Sequence, residues 1–525
     1  MRLKIAARKS DLARLQAYRV AEAIRNEFPD IEVQFQFRAS LGDLNLNDPL
    51  WKMPEKGVFT EDFLKDLESG EADFVVHSWK DLPTQPREKT IIAATLPRAD
   101  ARDLLLFRRN RIGQCGGHVK ILTSSPRRAY NLESFLQEAF PFVAEKIEFL
   151  SVRGNIQTRL EKLISQDVDG LIVAKAALDR LLAAKEPEFL EAQKVIRKIL
   201  SQTRFMVLPL SINPTAAAQG ALAIEVNRGR KDLLEILERI NCQKTFLAVE
   251  RERKILAEYG GGCHQKIGIS VLKRPYGELK YLRGLTDSGL QLNEKILEED
   301  DFENGHSIAR MNECRTGWNE SEVFPRDQED PSFYSRQSID KSKWDWAEGE
   351  RFLWVARNEA LPEEFSIAPE TIVWVAGTMT WKKLAQRGVW VSGTADSLGD
   401  VEDPGIQHLV GDTSENIKWV KLTHDRSMTN GDRMGVVPSM PVCATYSLQA
   451  KNEVPDLMGR KSFFWTSGSN FDRAVELYPN IVHATHCCGP GLTYRHILSV
   501  IGDRARVRMA LDIKSWRAQI CASKK

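Results

Sequence analysis

Three observations predict an α/β protein of more than one domain. The length of 525 residues is too great for a single hydrophobic core, so roughly two to four domains are expected. Short β-branched or apolar runs alternate with stretches of helical period, the pattern of helices packed on mixed sheets. That rhythm breaks between about 311 and 350 and then resumes, which divides the chain into two structural units.

The chain starts with a short strand that runs into a loop at Arg8-Lys9-Ser10. Residues 12–27 place apolar side chains three and four apart and predict a helix, as do 59–67. Residues 33–37 alternate apolar and polar, as a half-buried strand does, and 72–77, 119–122, 147–152 and 170–174 read as further strands. A late helical stretch over 232–255 leads into Gly260-Gly261-Gly262-Cys263 and a few strands ending near Leu285. Residues 312–350 are crowded with Asn, Ser, Asp, Glu, Arg and Pro, and predict a partly disordered linker. Strands at 352–356 and 371–376 resume the α/β rhythm, which continues to about 500.

Composition excludes several function classes. Lys and Arg total 74 against 72 Asp and Glu, a net charge of +2. A wholesale nucleic-acid binder needs a net basic surface and an aromatic stacking platform, so nucleic acid is not an expected partner. No apolar run approaches the roughly 20 residues that span a bilayer, and no signal-type segment opens the chain. Eight scattered cysteines form no disulfide framework. A cytoplasmic protein with reduced thiols, without a membrane partner, is expected.

Basic groups must therefore act locally. Arg8-Lys9-Ser10-Asp11-Leu12 ends a strand and starts a helix, where Ser10 can cap and an anion is favoured. His77-Ser78-Trp79-Lys80-Asp81-Leu82-Pro83 ends an apolar strand in a polar turn, the place where ligands collect in α/β sheets. Thr123-Ser124-Ser125-Pro126-Arg127-Arg128 and Ser151-Val152-Arg153-Gly154-Asn155 through Arg159 repeat that plan. Alone, each is a capped helix or a surface ion pair of little worth. Together they suggest a polycarboxylate ligand, because guanidinium groups fork onto carboxylates. The glycine loop gives Cys263 an approach suited to covalent chemistry; the plainer alternative is a flexible hairpin with an inert thiol.

Residues 1 to about 310 resemble hydroxymethylbilane synthase, also called porphobilinogen deaminase. The match runs in order through Arg8, Ser10, Leu12-Ala13 and Gln16, then Gly42-Asp43, Lys52, Lys56-Gly57 and Phe59. It continues through His77-Ser78, Lys80-Asp81, Pro83, Arg98 to Asp103, Thr123 to Arg128, Arg153 to Arg159, Gln219-Gly220 and Gly261-Gly262-Cys263. The resemblance implies three α/β domains, over about 1–98 with 218–238, 99–217 and 239–310. The first two are shaped like a periplasmic binding protein, and the third carries the cysteine. It further implies a monomer with a dipyrromethane cofactor on Cys263, and porphobilinogen and hydroxymethylbilane as substrate and product. Four porphobilinogens are then joined head to tail, each losing ammonia.

The resemblance also implies roles. Asp81, Lys80, Arg8 and Gln16 are catalytic, Asp81 steadying the cation left by deamination. The cofactor is held by Cys263, Ser10, Lys80, Asp81, Thr123, Ser125, Arg127, Arg128, Arg153, Gly154 and Arg159. Substrate is bound by Arg8, Ser78, Lys52, Lys56, Phe59, Arg180 and Gln219. Four departures stand out: Leu41 where an arginine is usual, Ala218 before Gln219 where glycine is usual, Lys175 in a strand of small residues, and His264 after the cysteine.

Residues 351–525 resemble uroporphyrinogen-III synthase more weakly, through strand-end turns at Ala376-Gly377-Thr378, Thr466-Ser467-Gly468 and Gly489-Pro490-Gly491 with Thr493, and through Tyr446. The implied activity is cyclisation of the bilane, with a degenerate domain as the alternative. His483 to Cys488 contains four potential metal ligands, but neighbours on a strand face opposite ways, so a core strand without metal is expected. For the first unit, a non-catalytic solute-binding module is the competing reading; the Gly-Gly-Cys263 loop counts against it.

Overall fold

The computed structural model describes residues 1–39, 61–261, 265–298, 319–400, 402–429 and 440–521. Apolar alternation builds β1 (Arg2–Arg8), β2 (Glu32–Arg38), β3 (Phe74–Ser78) and β4 (Thr90–Ala94). Next come β5 (Asp103–Arg108), β6 (His118–Leu122), β7 (Lys146–Leu150), β8 (Gly170–Ala174) and β9 (Thr203–Val207), which form a sheet in the order β7-β6-β8-β5-β9. The chain then returns to the first sheet through β10 (Leu222–Asn227), giving the order β2-β1-β3-β10-β4. β1 is parallel to β2 and β3, while β10 is antiparallel to both its neighbours.

Helices cover both sheets: α1 (Asp11–Glu27), α2 (Glu61–Ser69), α3 (Pro126–Ala139), α4 (Ile156–Ser165), α5 (Lys175–Leu182), α6 (Leu190–Gln202), α7 (Lys231–Ile240) and α8 (Gln243–Glu258). The first sheet is sealed by Val20 and Ile24 of α1 and Leu233 and Leu237 of α7 against Ile5, Phe74, Val76 and Ile224. The single helical stretch expected over 232–255 is two helices. Asn241 breaks it by accepting the Thr95 backbone N–H on its side chain at 3.0 Å, while the Cys242 N–H bonds Thr95 O at 2.8 Å. A third sheet comprises β11 (Gly268–Arg274), β12 (Gly277–Leu285) and β13 (Gln291–Glu298), in sequence order.

The chain divides into two compact units, one of 1–273, 281–294 and 405–413, the other of 274–280, 295–404 and 414–525. The second is built on two sheets. One is parallel: β14 (Val323–Phe324), β21 (Ser462–Trp465), β22 (Thr485–Cys488) and β23 (Val507–Met509), in that order. The other contains β15 (Tyr334–Ser338), β16 (Phe352–Val355), β17 (Ile372–Val375), β18 (Val391–Thr394), β19 (Val420–His424) and β20 (Val442–Ala450), in the order β15-β20-β19-β16-β17-β18.

The linker expected over 312–350 is not a linker in its described part. From Asn319 onward it supplies β14 and β15, and Val323, Phe324, Phe333 and Tyr334 at these strands are all buried. Sparse hydrophobics conceal these strands, because two edge strands need only a few inward side chains. Among the described residues no helix is long and apolar enough to cross a membrane.

Candidate active site

The loops after β1, β3, β6 and β7 carry the expected groups. β3 is buried through His77 and ends in one tight turn, Trp79–Asp81. Trp79 is buried, its ring 5.2 Å from that of Phe246 on α8, whereas Asp81 is exposed. The indole therefore anchors the turn and leaves the carboxylate presented. Arg253 of α8 holds the next two residues of the loop, donating to Leu82 O at 3.1 Å and to Pro83 O. No sequence signal marks Arg253.

Neighbouring cations share the field of that carboxylate. Burial lowers the Lys80 ammonium below its ordinary range, with Asp81 opposing the shift and Arg128 adding to it. Burial likewise lowers Arg159 to about 10, with Arg128 adding and Asp81 opposing. Lys80, Asp81, Arg128 and Arg159 are thus brought together from three separate motifs.

Arg127 and Arg128 owe their placement to Asp103, which is fully buried. Arg128 Nη2 lies 2.6 Å from one Asp103 oxygen and Arg127 Nη2 2.9 Å from the other. Gln219 Nε2 and Asn213 Nδ2 each donate to the same carboxylate at 2.8 Å. Burial alone would raise Asp103, but the two guanidinium groups hold it far below the usual carboxylate range. Arg127 is spent on this knot, since its other amino nitrogen donates to Asn213 Oδ1 at 2.8 Å and Pro214 O at 2.6 Å. Arg128 keeps a buried Nε without a hydrogen-bond partner among the described residues. Gln219 carries the knot to the active turn by accepting from Lys80 Nζ at 3.3 Å.

The loops are stitched to each other. Ser125 caps α3 by accepting from Arg128 N at 3.4 Å, and Thr123 Oγ1 accepts from Ser125 N at 3.3 Å. Ser124 Oγ accepts from Val152 N at 2.9 Å, which ends β7 at Leu150, short of the expected Val152. Asn155 caps α4 through Thr158 N at 2.9 Å, and Arg159 Nε donates to Gly154 O at 2.8 Å. Arg153 lies on the same loop, half-buried. Gln157 Nε2 donates to Asp11 Oδ2 at 2.5 Å, joining this loop to the one after β1. There Arg8 is half-buried and Ser10 holds the N-cap position of α1, but its side chain makes no capping hydrogen bond, contrary to expectation. Gln16 is buried on α1 with Nε2 3.0 Å from Ser78 Oγ, a contact that orients the last residue of β3.

The departures gain physical content. Ala218 has φ 67°, the left-handed region that costs an alanine about 1 kcal/mol, which explains glycine as the usual residue. Its N–H donates to Glu252 Oε2 at 2.7 Å, a fully buried carboxylate that Arg98 grips at 2.7 and 3.0 Å. Lys175 is not in a strand but opens α5, buried 2.5 Å from Asp179 and 3.3 Å from Asp100. Arg180 on the same helix donates to Gly220 O at 2.7 Å, and burial lowers it to about 10. Beneath the β3 turn, His77 Nε2 lies 3.0 Å from Glu225, which Arg87 also binds at 2.8 Å. No sequence pattern marks Glu225.

Gly261 has φ 67°, which favours glycine, and a Cβ there would lie 2.5 Å from Thr84 Oγ1, so glycine lets the segment after α8 pass close to the loop that continues from Asp81. Cys263 lies outside the described residues, as do Leu41, Lys52, Lys56, Phe59 and His264.

In the second unit, Thr466 is exposed at the end of β21, and Ser467 caps the next helix by accepting from Asn470 N at 3.3 Å. Thr493 lies in the first turn of the helix after β22, so these three share one edge of the parallel sheet. Tyr446 belongs to the other sheet, buried on β20. Cys487 and Cys488 fall in separate core clusters on opposite faces of β22, as the strand reading predicts.

Residues 3–235 match the family described as porphobilinogen deaminase, dipyromethane cofactor binding domain. Porphobilinogen deaminase of Syntrophomonas wolfei is 35% identical over 288 residues, 54% of this chain and 85% of the relative. That of a Nostoc species is 34% identical over 51% of this chain and 77% of its own, and that of Clostridium novyi 29% identical over 59% and 98%.

The chain belongs to the porphobilinogen deaminase family.

Porphobilinogen deaminase activity, and with it a part in tetrapyrrole synthesis, is carried by this part of the chain. Its cofactor is dipyrromethane. The donor set fits a group rich in carboxylates: Lys80, Arg128 and Arg159 converge, and the orphaned Arg128 Nε is a buried donor that an anionic ligand would satisfy.

Proposed function

We propose that residues 1 to about 310 condense four porphobilinogen molecules into hydroxymethylbilane, with Asp81 and Cys263 as the central pair. Dipyrromethane, when bound to Cys263, supplies the pyrrole end onto which the chain grows. Asp81 stabilises the cation left when porphobilinogen loses ammonia and accepts hydrogen bonds from pyrrole N–H groups. Lys80, with its lowered affinity for a proton, assists the departure of ammonia by moving a proton at Nζ. Arg128, Arg153 and Arg159, with Arg8, bind the acetate and propionate groups, and Thr123 and Ser125 position them. Arg127 acts through Asp103 as a positioning residue. The observation that carries this reading is the exposed Asp81 in the shared field of Lys80, Arg128 and Arg159, with Gly261 packed on the same loop.

Intact-mass spectrometry of the full chain from a host that makes porphobilinogen tests the attachment. A dipyrromethane increment present in wild type and lost in Cys263→Ser supports it; an unmodified wild type sinks it. Asp81→Ala is expected to keep the increment yet lose turnover by a factor of about a hundred or more, and near-normal turnover would remove Asp81 from its role.

We further infer that the second unit cyclises the bilane to uroporphyrinogen III. Its support is the meeting of strand-end loops from both sheets: a Cβ on Gly399, after β18, would lie 3.5 Å from the Cα of Gly491, after β22. Ligands collect beyond the C-terminal ends of parallel strands. Fed porphobilinogen, the full chain should yield the type III isomer; type I alone rules cyclisation out.

A further inference from the structure

A second cluster of cations lies in the second unit, away from Thr466, Ser467 and Thr493. The parallel register sets Val355 beside Leu422, which carries Arg357 level with His424. The next pairing sets His424 beside Tyr446, their rings 5.8 Å apart. On β15, Arg336 stands opposite Leu448, two residues on from Tyr446 and so on the same face. Arg426 lies just beyond β19, its guanidinium 4.8 Å over the Tyr334 ring and 2.8 Å from the Tyr334 hydroxyl, which fixes its plane.

Among the described residues no acidic side chain forms a close ion pair with Arg357 or Arg426, although Asp330, Asp425, Asp472 and Glu476 lie within reach of the cluster's field. The Asp425 carboxylate accepts from the Arg426 and Leu448 backbone N–H groups at 2.9 and 3.3 Å. Glu359 stands 3.9 Å from Arg336, the outer limit of an ion pair, and Lys421 is matched by Asp400 at 2.6 Å. The Arg357 side chain is half-buried and makes no ion pair or hydrogen bond among the described residues. His424 Nδ1 is a buried atom without a partner among them. A solvated arginine patch would not bury an unsatisfied ring nitrogen, whose desolvation costs about 1–3 kcal/mol. A ligand carboxyl group beside Arg357 would complete both residues at once.

We propose that Arg336, Arg357 and Arg426, over a floor of His424 and Tyr446, form a carboxylate-binding subsite of the second unit. Its ligand class is a pyrrole-based polycarboxylate, whose acid side chains fork onto the arginines. The proposal deepens the reading of the second unit and rests on it. Burial, reinforced by Arg357, Lys421 and Arg426 against the opposing charge of Asp425, lowers His424 to about 4. The ring is therefore a neutral hydrogen-bonding group at ordinary pH.

The test uses the full chain with uroporphyrin III as probe, read by hydrogen exchange and mass spectrometry over segments 334–338, 357–360 and 424–427. Wild type should gain protection there. Arg357→Gln should need about tenfold more probe, and Arg357→Lys should recover part of the loss. Matching thermal melts establish that the variants fold, and Arg426→Gln gives an independent measurement at a surface position. No protection in wild type, or equal half-saturation in wild type and both glutamine variants, overturns the subsite. Isomer analysis separates this from cyclisation. Protection with only type I product keeps the subsite and removes the cyclase. Type III product at equal rates in wild type and both glutamine variants removes the subsite and keeps the cyclase.

Discussion

Four fully buried carboxylates, Asp103, Asp169, Glu225 and Glu252, organise the first unit, each gripped by arginine. The main core of the second unit that contains β21 is instead a stack of rings: Phe324, Phe333, Phe463, Trp465 and Phe471, with neutral His486 among them. Buried charge is costly and adds little net stability over an apolar equivalent. It does fix direction, because a carboxylate with four donors tolerates one geometry. Asp103 shows the use: it aims Arg128 and, through Gln219, Lys80. The ring stack fills space well and points no group at a ligand. The difference separates a unit whose buried charges hold arginines in place from a core that is packed around rings.

The largest expected effect comes from breaking the charged knot. Asp103→Asn leaves two buried guanidinium groups poorly matched and should cost about 3–5 kcal/mol in denaturant unfolding of the first unit. A loss below about 1 kcal/mol would mean that the knot is incidental.

Acid should sharpen the contrast next. Burial lowers His486 to about 4, against the opposing hydrogen bond from Nε2 to Ile481 O at 2.9 Å, while Nδ1 accepts from Trp465 Nε1 at 2.9 Å. The folded state therefore favours the neutral ring. Its contribution is complete above the ordinary value near 6.5 and is lost as pH falls from there through about 4, by about 3 kcal/mol once titrated fully; His424 adds to the same window. Glu225 is held at about 2, so its contribution is lost only from about 4.5 downward. Ten of the twelve tryptophans lie beyond residue 310, so fluorescence reports on the second unit. Its midpoint should fall between pH 6.5 and 4 before the first unit weakens, and His486→Gln should flatten that fall.

Smaller effects test the two kinds of packing locally. Trp465→Phe keeps a ring but strands the His486 acceptor, and should cost about 1–2 kcal/mol. Ala218→Gly relieves a strained φ of 67° but removes a buried methyl group. Both terms are about 1 kcal/mol, so the change should stay within about 0.5 kcal/mol of zero in the same unfolding assay.

Much of this molecule is legible in its sequence. The strand-end motifs stand out because short polar turns interrupt apolar runs, and their order along the chain carries the family. Asp103 is visible as a motif residue, yet its role is not, since its four partners come from positions far apart in sequence. Glu225 and Arg253 leave no trace, because a single charged residue inside a strand or helix reads as solvated. The folding of 319–350 is hidden for the opposite reason: edge strands carry little hydrophobic pattern.

The helical turn Gln407–Val410 belongs to the first unit, where Arg197 on α6 donates to Leu409 O at 3.3 Å. The chain therefore passes between the two units more than once. A cut near residue 310 would remove this turn from α6 and leave Arg197 without that acceptor. The stability of α6 should therefore depend in part on residues more than two hundred positions further along the chain.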